Sequence, residues 1–219
     1  MGNMKCYCIS GLGADKRAFK NIDFGFTLIH IEWIKPISNE SLINYSKRLS
    51  KQIDSSEPFI LLGLSFGGLV ACEISTILKP DQIILISSLT QQKDLSLIIQ
   101  AISKTKLYKF IPSVLLKPPM FLAYWLFGVN QPANKKLLKE IIADTDPTFL
   151  KWSIDKILNT KSITIPIRLL RIHGTHDKLI SAKKATCIDW INDGGHLMIL
   201  ENASTINKLL IQKTIRRPK

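Results

Sequence analysis

"FILLGLSFGGLVACEIS", Phe59 to Ser75, sets a single serine between two glycines at the junction of two kinds of sequence. Before Ser65 runs an unbroken apolar stretch, the composition of a strand covered on both faces. After it, "FGGLVACEISTIL" has helical length, with Gly68, Ala71 and Ser75 on one face, small enough for close packing. Strand, sharp turn and helix are what the pattern Gly-x-Ser-x-Gly needs if the serine is a nucleophile held in a strained backbone conformation. Gly63 and Gly67 then serve to remove side chains where strand and helix crowd together. The same five residues arise by chance in flexible loops, so the reading depends on partners elsewhere in the chain.

A serine hydroxyl is a weak nucleophile until a base takes its proton and a third group orients that base. Four histidines are available, at 30, 173, 176 and 196. His196, in "INDGGHLMI", follows an apolar run and the pair Gly194-Gly195, which puts it on a loop beyond a strand end. Ser65 and His196 would share the carboxyl edge of one sheet, where open α/β folds bind ligands. The acid expected to orient His196 is Asp177 in "IRLLRIHGTHDKLI", beyond another strand and a Gly174 turn. Asp193 is a rival only three residues from His196, on the same loop.

The wider chain fits this edge. Apolar runs "KCYCIS", "TLIHIEW", "FILLGLS", "QIILISS", "IRLLRIHG" and "TCIDWIND" alternate with the amphipathic stretches "ADKRAFKNI", "NESLINYSKRLSKQI", "FGGLVACEISTIL" and "ENASTINKLLIQKTI". That rhythm predicts an α/β fold with a mostly parallel sheet of about six strands. It breaks between about Thr90 and Lys161, where prolines punctuate helices and eight of the seventeen aromatics lie. This segment, 90–161, reads as a helical insertion into a core of 1–89 and 162–219, either a lid over a pocket or a small packed subdomain.

In this order, Ser65 in "GLSFGG", Asp177 in "IHGTHDKLI" and His196 in "GGHLMIL" at successive strand ends, the chain resembles the α/β-hydrolase superfamily over nearly its whole length. It looks most like small esterase-like members with a helical cap, a place that segment 90–161 would fill. Only four residues, Met1 to Met4, precede "KCYCISGLG", so the family's first two strands are expected to be absent. The resemblance implies serine-hydrolase chemistry without metal or cofactor, and an oxyanion hole made by the backbone N–H groups of Leu12 and Phe66. Where many members have His-Gly in the first loop, this chain has Ser10-Gly11.

Cleavage of a carboxylic ester or thioester through an acyl-enzyme is the leading expectation. Acyl transfer, perhydrolysis and carbon–carbon bond hydrolysis are the alternatives on the same residues, and a ligand-binding protein on a hydrolase scaffold is the alternative of another class. "GLGADK" is only part of a dinucleotide fingerprint, with Lys16 where a glycine belongs and Glu32 as the nearest acidic candidate. "HGTHD" lacks the further histidines of a hydrolytic zinc site, and His173 is read as structural. Cys6, Cys8 and Cys72 read as buried fillers. With four cysteines, no secretory signal pattern and no apolar run long enough to span a bilayer, a cytoplasmic protein is expected. The net charge of +13 is mostly dispersed Lys, without a nucleic-acid-binding motif. In segment 90–161, however, eleven Lys face five acidic residues, which points to an anionic substrate or membrane surface beside an apolar acyl group.

Overall fold

The computed structural model describes residues 4–163, 168–183 and 185–214. The expected first residue of the fifth strand, Ile167, the end of the last helix at Ile215 and the basic Arg216-Arg217-Pro218-Lys219 end lie outside the described residues. Six strands form one all-parallel sheet: β1 (Lys5–Ile9), β2 (Thr27–His30), β3 (Phe59–Leu64), β4 (Gln82–Ile86), β5 (Arg168–Gly174) and β6 (Ile188–Ile191), in the order β2-β1-β3-β4-β5-β6. The order reverses between β1 and β3. That reversal opens a crevice beyond their carboxyl ends.

β3 is buried at every position, as a central strand between two helical layers must be. Its alternate side chains feed two cores. Ile60, Leu62 and Leu64 join Cys6, Cys8, Ile84, Ile86 and Ile172 on one face. Phe59 and Leu61 join Tyr7, Ile9, Ile83 and Leu85 on the other, under the helices α1 (Leu42–Leu49) and α2 (Phe66–Leu78). Cys72 is buried in that second core, and burial pushes its thiol up to about 12.

Between β4 and β5 stand α3 (Leu97–Thr105), α4 (Met120–Phe127), α5 (Pro132–Asp144) and α6 (Pro147–Leu158). Pro132 and Pro147 open α5 and α6, where a missing N–H costs no hydrogen bond. Leu137, Leu138 and Ile141 of α5 belong to the first core, whereas Phe149 and Leu158 of α6 belong to the second. The chain closes with α7 (Met198–Glu201) and α8 (Ala203–Lys213) against the first core.

Several elements are shorter than the pattern predicts, and β2 keeps only Thr27–His30 of "TLIHIEW". Residues 14–22 give only a 3-10 turn, Lys16–Phe19, because Asp15 caps it by accepting from Arg17 N and the bonds that follow close three-residue turns. "TCIDWIND" contributes only Ile188–Ile191 to the sheet, with Cys187 before it in the left-handed region, φ 56°.

Candidate active site

Ser65 stands between β3 and α2 with φ 51° and ψ −120°, a conformation that an L-residue holds only when its surroundings over-determine it. They do so here through main-chain bonds: Ser65 N donates to Ile86 O (3.0 Å), while Ser65 O accepts from Gly68 N (3.0 Å) and from Ser88 Oγ (2.7 Å). Gly63 and Gly67 are required by space. A Cβ on Gly63 would run into the Gly68 backbone, and one on Gly67 into the carbonyl oxygens of Ile9 and Ser10. The turn carrying Ser65 is thus pressed against the carboxyl end of β1.

His196 follows β6 on the loop leading into α7, and its Nε2 lies 2.8 Å from Ser65 Oγ. Its Nδ1 lies 2.8 Å from Asp177 Oδ2, and both His196 and Asp177 are buried. Asp177 sits on the loop beyond β5, where its other oxygen, Oδ1, accepts from Leu179 N and Ile180 N, both at 2.9 Å. Burial pushes its carboxyl up, but the attraction of His196 and the hydrogen bonds from His173 and His196 prevail, holding it well below the usual carboxylate range. An ionised carboxylate can only accept. Nδ1 of His196 therefore carries the hydrogen, and Nε2 is left with a lone pair able to accept from the Ser65 hydroxyl.

The rival acid, Asp193, points to solvent and lies 3.2 Å from the equally exposed His176. Buried His173 contacts Asp177 Oδ2 at 3.2 Å and places its Nε2 2.7 Å from Ile180 O, bracing the acid loop from beneath. Phe127 of α4 meets the His196 ring edge-on, with centroids 5.5 Å apart.

The loop carrying Leu12 passes directly beside Ser65: a Cβ on Gly11 would stand 3.4 Å from Ser65 Cβ. Phe66 is the first residue of α2, so its N–H is among those a helix leaves unpaired. What holds the Leu12 loop was not legible beforehand. Ala14 N donates to Gly11 O (2.9 Å), and Ala14 O accepts from Ser10 Oγ (2.5 Å) and from the indole Nε1 of Trp33 (3.0 Å). Trp33 stacks on Phe66 (5.6 Å, 26°) and packs on Phe149 of α6 (5.1 Å). One tryptophan therefore links both expected oxyanion donors to the insertion. The only advance signal was that a buried indole N–H seeks an acceptor.

Among the described residues, no cluster of three or more His, Cys, Asp or Glu is arranged to hold a metal, and no helix is long and apolar enough to cross a membrane. No protein-family model and no curated protein matches the sequence. Solved structures do. A hydrolase from Oleispira antarctica superposes with a TM-score of 0.75 at 17% identity, covering 97% of this chain and 91% of the other. A thermophilic esterase from Thermogutta terrifontis gives 0.71 at 14%, covering 95% and 88%. The 2-hydroxy-6-oxo-6-phenylhexa-2,4-dienoate hydrolase of Rhodococcus sp. strain RHA1 gives 0.70 at 14%, covering 96% and 90%. A six-stranded parallel sheet with its serine turn at the point of reversal, superposing on these proteins over nearly its full length, identifies the chain as having the fold of the α/β-hydrolase superfamily.

Proposed function

We propose that this protein is a serine hydrolase that cleaves a carboxylic ester or thioester through an acyl-enzyme. The observation that carries the reading is the relay of two 2.8 Å contacts from Ser65 through His196 to Asp177, with the imidazole and carboxylate out of water. Ser65 Oγ attacks the carbonyl carbon as its proton passes to His196 Nε2, and Asp177 stabilises the imidazolium. The N–H groups of Leu12 and Phe66 receive the oxyanion. Collapse breaks the bond to the leaving alcohol or thiol, which takes the proton from His196. Water, deprotonated by His196, then attacks the acyl carbon and releases a carboxylic acid and free Ser65.

Segment 90–161 acts as the cap. Its α5 and α6 pack into opposite cores, so the segment straddles the sheet edge where Ser65 lies, and Phe127 brings an apolar ring to His196. This favours a small acyl substrate with an apolar portion. Because the superposing structures include a hydrolase whose name denotes a dienoate substrate as well as an esterase, carbon–carbon bond hydrolysis is the second reading.

The test is labelling by a fluorophosphonate together with burst kinetics on a short-chain chromogenic ester. Label on Ser65 and a burst of about one equivalent are expected. Ser65→Ala abolishes both and lowers turnover by up to about 10⁶-fold. Folded wild-type protein that takes no label overturns the proposal. Product analysis on ester and dienoate substrates separates the two readings.

A further inference from the structure

The insertion carries an apolar surface that the core leaves uncovered. Of the fourteen large hydrophobic side chains exposed among the described residues, nine lie between Leu97 and Trp125. Leu97 and Ala101, and likewise Ile98 and Ile102, are four apart on α3 and make one outward stripe, while Ser103 is buried and donates to Leu158 O at 2.8 Å. Leu107, Phe110, Leu115, Phe121 and Trp125 continue the exposed apolar series. Leu97 is 78% exposed, Phe110 84% and Phe121 77%, so these are whole side chains in solvent and not the rims of core residues. An apolar concentration of this kind marks an interaction surface.

Its charge has one sign. Between Lys93 and Trp125 stand five lysines and a single carboxylate, Asp94, which is buried and paired with Arg171 at 3.0 Å. Asp155 of α6, packed beside this stretch, accepts from the Tyr108 hydroxyl and lies 3.2 Å from Lys156 Nζ and 3.9 Å from Lys109 Nζ. The surface also adjoins the site. Ser96 N, at the start of α3, donates to Leu179 O (3.0 Å), and Lys178 Nζ donates to Trp125 O (2.9 Å) while lying 4.3 Å from the Trp125 ring centroid. The loop bearing Asp177 is thus flanked by α3 on one side and α4 on the other.

We propose that this face seats the protein on an anionic lipid bilayer. Exposed leucine, isoleucine and aromatic side chains enter the boundary between headgroups and acyl chains, and lysines interleaved with them meet lipid phosphates. A second copy docking through the same patch would set lysines against lysines with no exposed carboxylate between Lys93 and Trp125 to receive them, which disfavours self-association. Seating in this manner would face the acid loop and its flanking helices toward the membrane, where acyl substrates with apolar portions concentrate. The assignment concerns binding alone and does not depend on the acyl-enzyme chemistry.

The experiment is co-sedimentation of the full chain with phosphatidylcholine vesicles, with and without phosphatidylglycerol, at low and high salt. Binding is expected only to vesicles containing phosphatidylglycerol, and it should weaken as salt shortens the screening length. The triple variant K104E/K106E/K109E should lose at least about fivefold in partitioning per lysine removed. Leu97→Ser and Phe110→Ser, both at exposed positions, should each lose about tenfold. Ser65→Ala should bind as wild type does, which keeps this result separate from catalysis. Equal binding to both compositions, binding to neither, or lipid-free self-association that Leu97→Ser and Phe110→Ser abolish would each overturn the proposal.

Discussion

Removing the two donors that hold Ala14 O should switch off catalysis without unfolding the protein. Trp33→Phe deletes the 3.0 Å indole bond while keeping a ring against Phe66 and Phe149, and Ser10→Ala deletes the 2.5 Å hydroxyl bond. Either change alone leaves this buried carbonyl one partner, so each should cost about 1 kcal/mol of stability and about threefold in kcat. Together they leave it none, an expense of about 1–3 kcal/mol. The loop can relieve that cost by turning the carbonyl toward water, which would displace the N–H of Leu12, the proposed oxyanion donor. Losing one oxyanion donor costs about 10²–10³-fold in kcat. The double variant should therefore fall well beyond the roughly ninefold product of the single effects, a coupling of about 1 kcal/mol or more. KM should hardly change, because the lost bond forms in the transition state. Ester kinetics on the four proteins, with circular dichroism and denaturant midpoints to verify folding, supply the cycle. A folded double variant whose kcat stays within about tenfold of wild type would refute the link from Trp33 to the oxyanion loop.

Asp177→Asn should keep the site's shape but lower kcat by about 10⁴-fold, read from initial rates, because the amide no longer selects the productive imidazole tautomer. Since the folded state holds Asp177 below the ordinary carboxylate range, its ionised form stabilises the fold fully above the unfolded value of about 3.9. The stability gap between wild type and Asp177→Asn should therefore be widest at neutral pH and narrow as pH falls below about 4; denaturant melts showing it widen there would contradict this account. Arg171→Met strands the buried Asp94 carboxylate and should cost about 3–5 kcal/mol in the same melts. An aromatic disulfide reagent should titrate one thiol in the native protein, exposed Cys187, and reach buried Cys6, Cys8 and Cys72 only after denaturation.

The strands were legible because burial on both faces leaves short unbroken apolar runs such as Ile60 to Leu62 and Ile83 to Ile86; the partly exposed helix α4 shares that composition, and the prolines before it set it apart. Ser65, Asp177 and His196 were legible for a different reason. Each follows a strand through a glycine or a tight turn, so its placement is set by local chain geometry. The structure brings these three side chains together, and reach distinguishes Asp177 from Asp193: a carboxylate three residues from the imidazole, on an outward loop, turns to solvent. Trp33, Ser10, Ser88 and His173 were not legible in these roles. Their partners are the main-chain oxygens of Ala14, Ser65 and Ile180, and a carbonyl leaves no mark on the identity of the residue that carries it. Within 90–161 the prolines marked helix starts, but the sequence did not show that α5 and α6 would enter opposite cores.

How the insertion is fastened decides which part of it could open. α4 is joined to the loop of His196 by main-chain contact: Leu197 N donates to Phe127 O at 2.9 Å, and Gly128 approaches Gly195 so closely that a Cβ on either would stand 2.7 Å from the other's Cα. α5 is joined to α7 through Asn134 Nδ2, which donates to Glu201 Oε1 at 2.9 Å, and α6 to the loop before α1 through Trp152 Nε1, which donates to Glu40 O at 3.1 Å. A hinge motion carrying all four helices would break these bonds and pull Phe127 off the His196 imidazole together with them. The stretch from α3 to Leu116 bears most of the exposed apolar surface, so it has less buried contact to lose, and low local stability of that kind is where opening motions arise. The start of α3 is itself tied to the acid loop, through Ser96 N to Leu179 O (3.0 Å) and Ala182 N to Asp94 O (2.9 Å), so substrate access is expected beyond it, under residues 106–116. Cross-linking α4 to the loop of His196, or the start of α3 to the acid loop, should accordingly leave turnover intact, whereas cross-linking residues 106–116 to α6 should suppress it.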